Sequence, residues 1–359
     1  MDITNSKILV VVYITVVIVA MFQMTGLFIR GFLPVTCTTS ELDMQFIPKD
    51  ALHTNAHIIF GTDPEFKSFH ILESQNGHTW EDISLPFTNT GENDVILLKT
   101  SDLSTSTDFS LVWTEHYPDT TSFFISAYNS TWSDPEMLFT RDKPCYLKDA
   151  LYCNDTLLIL WEERYIVQRN EPFHKLSTVH RAVITDEISI EKIAIPEDSK
   201  DIDGFLLHHE NIWCIVRAEK KFSQSWSANG KSWSEPQRFK VPVLFEHMLV
   251  TPQGEFGGYY TFNNYCFLYT TTNWVKWQKV HILKMDNTIT AVQLAQNDNK
   301  IWGIASTKEN TTTTYFCTST PERIQNYQEK AQILRKIFSL QYTLILAVGV
   351  GLVLIKVLD

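Results

Sequence analysis

The sequence predicts an all-β protein, a six-bladed β-propeller held between an N-terminal and a C-terminal transmembrane helix. Three observations predict it. Four segments of the middle region share one turn-and-tryptophan pattern at a regular period, short alternating strands fill the intervals, and an uncharged apolar run lies near each end.

The ends come first. Ile8 to Ile29 carries no charge and is bounded by Lys7 and Arg30. At ~1.5 Å rise per residue, a run of this length crosses a hydrocarbon core of ~30 Å. A cleaved signal peptide would have a shorter apolar region and a small-x-small site, so an uncleaved anchor is expected. Ile337 to Ile355 is also uncharged, with Arg335 and Lys336 before it and Lys356 after it. Within it, Ala347 and Gly351 form a small-x-x-x-small pair that suits a transmembrane-helix partner. The expected organisation is a tail over 1–7, a transmembrane helix over 8–29, the propeller over 33–322, a helical linker over 323–336 and a transmembrane helix over 337–356.

Composition narrows the partners. The net charge of −11 argues against nucleic acid, because phosphate binding needs a concentrated basic surface. Sequons at Asn129, Asn154 and Asn310 and six cysteines all fall in the middle region. Both features suit a lumenal or extracellular face in the secretory pathway or at the plasma membrane. No CxxC pair occurs, so no metal and no cofactor is expected.

The repeat organises the middle. Ser74, Asn76, Gly77 and Trp80 form one unit; Ser126, Asn129 and Trp132 a second; Ser227, Asn229, Gly230 and Trp233 a third; Thr271, Asn273 and Trp277 a fourth. Each starts on a hydroxyl residue that ends an apolar strand and closes on a Trp six positions later. Asn and Gly accept the positive φ of a tight turn, and the hydroxyl satisfies loose backbone groups beside it. The Trp positions are separated by 52, 101 and 44 residues, so a unit is missing near residue 183. His180 to Glu187 is its expected strand and turn, and Tyr315 to Glu322 supplies a sixth. Six units of about 48 residues, each with about four short strands, describe propeller blades.

Ring closure follows. The sixth unit lacks an outer strand after Pro321, and the extended segment Pro34 to Ser40 is the expected donor. That pairing brings Cys37 beside Cys317, and a disulfide between them is expected to staple the ring. Cys145 with Cys153, and Cys214 with Cys266, are the remaining candidate pairs.

The S-x-N-G-x-S/T-W units at 74–80 and 227–233 resemble the Asp boxes (BNR repeats) of the sialidase superfamily, with Asn in place of Asp and one residue fewer than the commonest form. The resemblance implies a six-bladed propeller in which the boxes are structural and lie away from the active site. It also implies a catalytic set to look for: three arginines that clamp a carboxylate, an acid/base Asp, and a Tyr activated by a Glu. The first arginine belongs to an Arg-Ile-Pro stretch, and the corresponding place here reads Phe46-Ile47-Pro48. No catalytic residue is therefore assigned. His208, His209 and Glu210 at the end of one inner strand, with Glu246 and His247 in the next unit, are the candidate funnel-lining residues for a ligand.

Two functions follow from this reading. The first is a membrane-anchored, non-catalytic propeller that binds or assembles a protein or glycan. The alternative is a membrane-bound exo-sialidase or related glycosidase with a rearranged site. The number of arginines that converge on the central funnel discriminates them.

Overall fold

The structure is a computed structural model that describes residues 35–65, 68–87, 94–100, 109–153, 155–166, 175–193, 201–208, 211–218, 221–297, 300–308, 312–337 and 339. The chain divides into two compact units, residues 37–321 and the two ends, 1–36 with 322–359. The first unit is the propeller.

Its strands fall into six antiparallel sheets, one per blade. Blade one is β2 (Ile47–His53), β3 (His57–Thr62), β4 (Phe69–Ser74) and β5 (Glu81–Ile83). Blade two is β6 (Val95–Leu97), β8 (Phe109–His116), β9 (Thr121–Asn129) and β11 (Glu136–Arg141), with β10 (Thr131–Trp132) beside β9. Blade three is β12 (Cys145–Cys153), β13 (Thr156–Ile166), β14 (Lys175–Ile184) and β15 (Ile188–Lys192). The short β7 (Lys99–Thr100) pairs in parallel with β12, so neighbouring inner strands run the same way. Blade four is β16 (Asp201–His208), β17 (Asn211–Ala218), β18 (Lys221–Ser227) and β19 (Gln237–Lys240). Blade five is β20 (His247–Val250), β21 (Phe256–Phe262), β22 (Tyr265–Thr271) and β23 (Gln278–Lys284). Blade six is β24 (Ile289–Asn297), β25 (Lys300–Lys308), β26 (Thr312–Ser319) and, as its outer strand, β1 (Thr38–Leu42) from the other end of the chain.

Why these strands pack face to face is visible in β13. Leu158 and Leu160 join a core with Phe205, Ile212 and Cys214 of blade four. Ile159 and Trp161, pointing the other way, join Val112, Phe123 and Phe139 of blade two. A middle strand of a blade is buried on both faces, so it reads as a continuous apolar run and not as an alternation. The same logic fills the layers between blades one and two, four and five, and six and one.

The turn units behave as their chemistry dictates. Ser74 Oγ accepts the N–H of Gly77 at 2.8 Å, and Asn76 Oδ1 accepts those of His78 and Thr79 at 2.7 and 3.0 Å. Ser227 and Asn229 repeat this around Gly230. Gly77 and Gly230 hold φ of 77° and 73°, the left-handed conformation in which a Cβ is costly. In blade five Thr271 and Asn273 build the same turn, but the left-handed position is taken by Trp274, at φ 60°. The unit of blade two differs: Ser126 Oγ donates to Ser133 O at 2.8 Å. Trp80 and Trp233 donate back to Gly77 O and Gly230 O, whereas Trp132 and Trp277 reach the preceding blade at Ser84 O and Lys240 O. In blade three the turn Thr185–Glu187 joins β14 to β15 without a Trp.

β1 pairs with β26 from Thr38↔Thr318 to Leu42↔Thr314, so the N-terminal segment does close the ring. The expected disulfide is not formed, although the structure brings its two cysteines together. Cys37 and Cys317 are both free and buried, as are the other four cysteines. The register opposes Thr39 to Cys317, which leaves Cys37 on the diagonal. The two thiols meet across that diagonal through a side-chain hydrogen bond, and burial together with Cys317 pushes the Cys37 thiol well up. Cys145 and Cys153 stand at opposite ends of β12 and cannot meet. Cys214 lies beside Arg181 of blade three while Cys266 faces Cys317 of blade six, so that pair is separated by a blade interface.

The two predicted membrane runs, 8–29 and 337–356, lie outside the described residues except for Ile337 and Ser339. Among the described residues no helix is long and apolar enough to cross a membrane. The predicted linker is helical over 321–337. Asn129 is exposed at the end of β9, whereas Asn154 and Asn310 lie outside the described residues.

Candidate ligand site in the central channel

The inner strands β2, β12, β16 and β24 each carry one irregularity of register near their start, at Pro48/Asp50, Leu147/Asp149, Ile202/Gly204 and Ile289/Ala291. A bulge re-aims the next side chain. In blades one and three that side chain is an aspartate, in the tetrapeptides Lys49-Asp50-Ala51-Leu52 and Lys148-Asp149-Ala150-Leu151. Asp50 accepts the N–H of Leu97 of blade two at 3.0 Å, and Asp149 accepts that of Phe205 of blade four at 2.6 Å. Asp94, just before β6, accepts the N–H of Leu147 of blade three at 3.0 Å. Three carboxylates thus clasp blades one to four around the channel through charge-assisted hydrogen bonds.

The other half of the ring is more open. A cavity of about 270 Å³ lies against β2, β16, β20 and β24, with Asp50, His53, His247, Tyr259 and Gln293 as its main polar groups and Leu52, Leu206 and Leu249 among the apolar ones. Tyr259 Oη donates to Gln293 Oε1 at 3.0 Å, and Gln293 Nε2 meets His247 Nε2 at 3.3 Å. Burial pushes the Tyr259 phenol well above its usual range. Asp50 is engaged by two backbone amides, those of Ala51 and Leu97.

Of the residues expected in the funnel, His247 does line this cavity. Glu246 instead turns to Thr261, accepting its N–H at 2.8 Å and its hydroxyl. His208 ends β16, whereas His247 begins β20. Because neighbouring inner strands run the same way, the two positions belong to opposite ends of the channel and do not form one cluster. The side chain of His208, and His209 and Glu210 entirely, lie outside the described residues. Among the described residues no group of three or more His, Cys, Asp or Glu is placed to hold a metal.

The arginines whose side chains are described sit elsewhere. Arg141 ends blade two and binds Glu163 of blade three at 2.9 Å, with Lys143 and His180 on the same carboxylate, which is 1% exposed. Arg181 pairs with Glu191 and lies over the Trp233 ring, 3.7 Å from its centroid. Arg238 is exposed on β19, and Arg323 donates to Thr36 O. The side chains of Arg164, Arg169 and Arg217 lie outside the described residues. Phe46, at the place of the first expected arginine, packs on Gly61, and its backbone is held by Ser306 and Thr314 of blade six.

No protein-family model matches the chain, and no curated protein matches it in sequence. Solved structures share the fold. The Trypanosoma rangeli sialidase aligns with a TM-score of 0.56 at 9% identity, over 83% of this chain and 60% of that one. A mutant of that sialidase displaying trans-sialidase activity aligns at 0.54 and 10% identity, over 83% and 61%. A luciferin-regenerating enzyme aligns at 0.53 and 10% identity, over 79% and 96%. The fold is that of a sialidase-like six-bladed propeller; identities this low carry the fold alone.

Proposed function

We propose that this chain is a membrane-anchored, non-catalytic sialidase-like propeller that binds a protein or glycan on the lumenal or extracellular side through its channel. The observation that carries the reading is the pairing of Tyr259. A tyrosine nucleophile needs a carboxylate base and a lowered pKa, whereas Tyr259 donates to the neutral amide of Gln293 and burial raises its pKa. Asp50, the carboxylate that lines the cavity, is engaged by backbone amides, and Glu246 by Thr261. His247 and Gln293 offer hydrogen-bonding groups on a partly apolar wall, which suits recognition of hydroxyl or amide groups. The apolar runs at 8–29 and 337–356 support the anchoring. The test is a fluorogenic sialoside offered to the full detergent-solubilised chain, beside a glycan array. No release and array binding weakened by Gln293→Ala are expected; turnover abolished by Tyr259→Phe would overturn the proposal in favour of a sialidase with a rearranged site.

A further inference from the structure

Blades one, six and five follow one another around the ring, and each brings one polar side chain to the channel cavity: Asp50 on β2, Gln293 on β24 and His247 on β20. Gln293 joins them, with Nε2 3.3 Å from His247 Nε2 and Oε1 accepting the Tyr259 hydroxyl at 3.0 Å. Leu52, Leu206 and Leu249 supply an apolar wall. At about 270 Å³ the cavity lies at the small end of the roughly 300–1,000 Å³ of ligand pockets, so it suits one ring and not a chain.

The charge on this wall is one-sided. Asp50 lines the cavity, and no lysine or arginine is among the described residues that do. Lys49, beside Asp50 in the chain, holds its ammonium 4.8 Å from the centroid of the Phe69 ring, and Lys148 pairs with Glu162 at 3.4 Å. Tyr259 registers the sign: burial raises its pKa most, and the charges of Glu246 and Asp50 raise it further. A carboxylate-bearing ligand would bring its charge against both, whereas a cation is drawn to them. The amides of Ala51 and Leu97 fix Asp50 in place, and a carboxylate accepts up to about four donors.

We propose that the cavity takes a single sugar ring bearing a protonated amine, with the ammonium on Asp50, hydroxyls on Gln293 and His247, and the C–H face of the ring on the leucines. The inference rests on the reading of the channel as a ligand site and names the class of ligand. It sets this propeller apart from one that clamps a carboxylate with arginines.

The test is calorimetric titration of the full detergent-solubilised chain with the methyl glycosides of glucosamine, 6-amino-6-deoxyglucose, glucose and glucuronic acid. His53 and His247 are lining groups whose charge varies with pH, so binding is measured above the ordinary histidine range, at about pH 7.5. At least one amino sugar should bind roughly tenfold or more tightly than the glucoside, the effect of one charge-assisted hydrogen bond, and the glucuronide most weakly of all. Asp50→Asn should bring the amino sugar to the level of the glucoside, and Gln293→Ala should weaken both. Circular dichroism checks each variant; the sugar series on the unaltered chain decides the matter if Asp50→Asn misfolds. Glucoside or glucuronide bound as tightly as both amino sugars, with Gln293→Ala weakening them, would overturn the amine and leave the channel reading standing. An amino sugar indifferent to Asp50→Asn would do the same. Nα-acetyl-lysine amide bound more tightly than either amino sugar would overturn the sugar in favour of a lysine-bearing protein. No binding of any probe, or binding untouched by Gln293→Ala, would overturn the channel reading and this proposal with it.

Discussion

The carboxylate of Asp149 leaves blade three and accepts the backbone N–H of Phe205 in blade four at 2.6 Å. Its second oxygen accepts the N–H of Ala150 at 2.9 Å. A Cβ at Gly204 would stand 2.3 Å from that carboxylate, and Gly204 has φ of 144°. The bulge, the aspartate and the glycine are one device, which closes the gap between two blades at the channel wall.

Asp149→Ala should therefore destabilise the propeller by roughly 2–4 kcal/mol, since two buried amides lose their acceptor. Gly204→Ala should do comparable damage, and the double variant should cost clearly less than the sum. Urea denaturation of the three variants checks this; additive losses would show that the two residues act separately.

Stability should fall between about pH 6.5 and about pH 4. Burial, with His53 and Lys300 beside it, lowers the His57 pKa from 6.5 to about 4. In that window the unfolded chain binds the proton and the folded one does not, so acid favours unfolding until the folded pKa is reached. His57→Phe should flatten this part of the profile. Denaturation midpoints at pH 7.5 and 5, chosen to bracket roughly this window, would show no smaller difference in the variant if the assignment is wrong.

Glu163→Gln should destabilise by roughly 3 kcal/mol, because it leaves Arg141, Lys143 and His180 around a neutral amide in a buried site. Arg141→Met should cost less, its side chain being 28% exposed. Equal losses by chemical denaturation would contradict the ranking.

Gly77→Ala should destabilise by more than the roughly 1–2 kcal/mol of a left-handed residue, as its Cβ would meet the Phe316 ring at 2.2 Å. Trp274→Gly relieves the same conformational cost but removes contacts with Phe256 and Phe239. Trp274 is partly buried, so loss of that packing should cost somewhat less than the roughly 3–5 kcal/mol of a fully buried aromatic and still outweigh the gain. A Trp274→Gly variant with a raised Tm would show that backbone strain dominates at this turn.

All six cysteines should titrate as free thiols in denaturant without reductant, and react slowly when native. Each is buried, and burial pushes Cys145 and Cys214 up to about 12. Fewer than six thiols by a colorimetric assay would restore a disulfide.

The order of the elements was legible in the sequence because it depends on local chemistry. Ser74, Asn76 and Gly77 make their turn from neighbours within three residues, and the spacing of Trp80, Trp132, Trp233 and Trp277 counts the blades. Even the degenerate third turn at 185–187 and the donated strand β1 were located from that period. The repeat Lys49-Asp50-Ala51-Leu52 and Lys148-Asp149-Ala150-Leu151 was also there to be read, and would have marked two inner strands and their clasps.

What the tertiary structure alone decided is which of these side chains meet. His208 and His247 look equivalent along the chain, yet strand direction sends them to opposite ends of the channel. Cys37 and Cys317 come to one strand pair, and the register sets them on a diagonal across which their thiols meet. Tyr259 finds Gln293 and Arg141 finds Glu163 across blade boundaries, at 34 and 22 residues' separation. Turn chemistry acts through residues adjacent in sequence, so the sequence by itself determined the blades. Register, strand direction and blade contact act between residues far apart, and only the closed ring decides them.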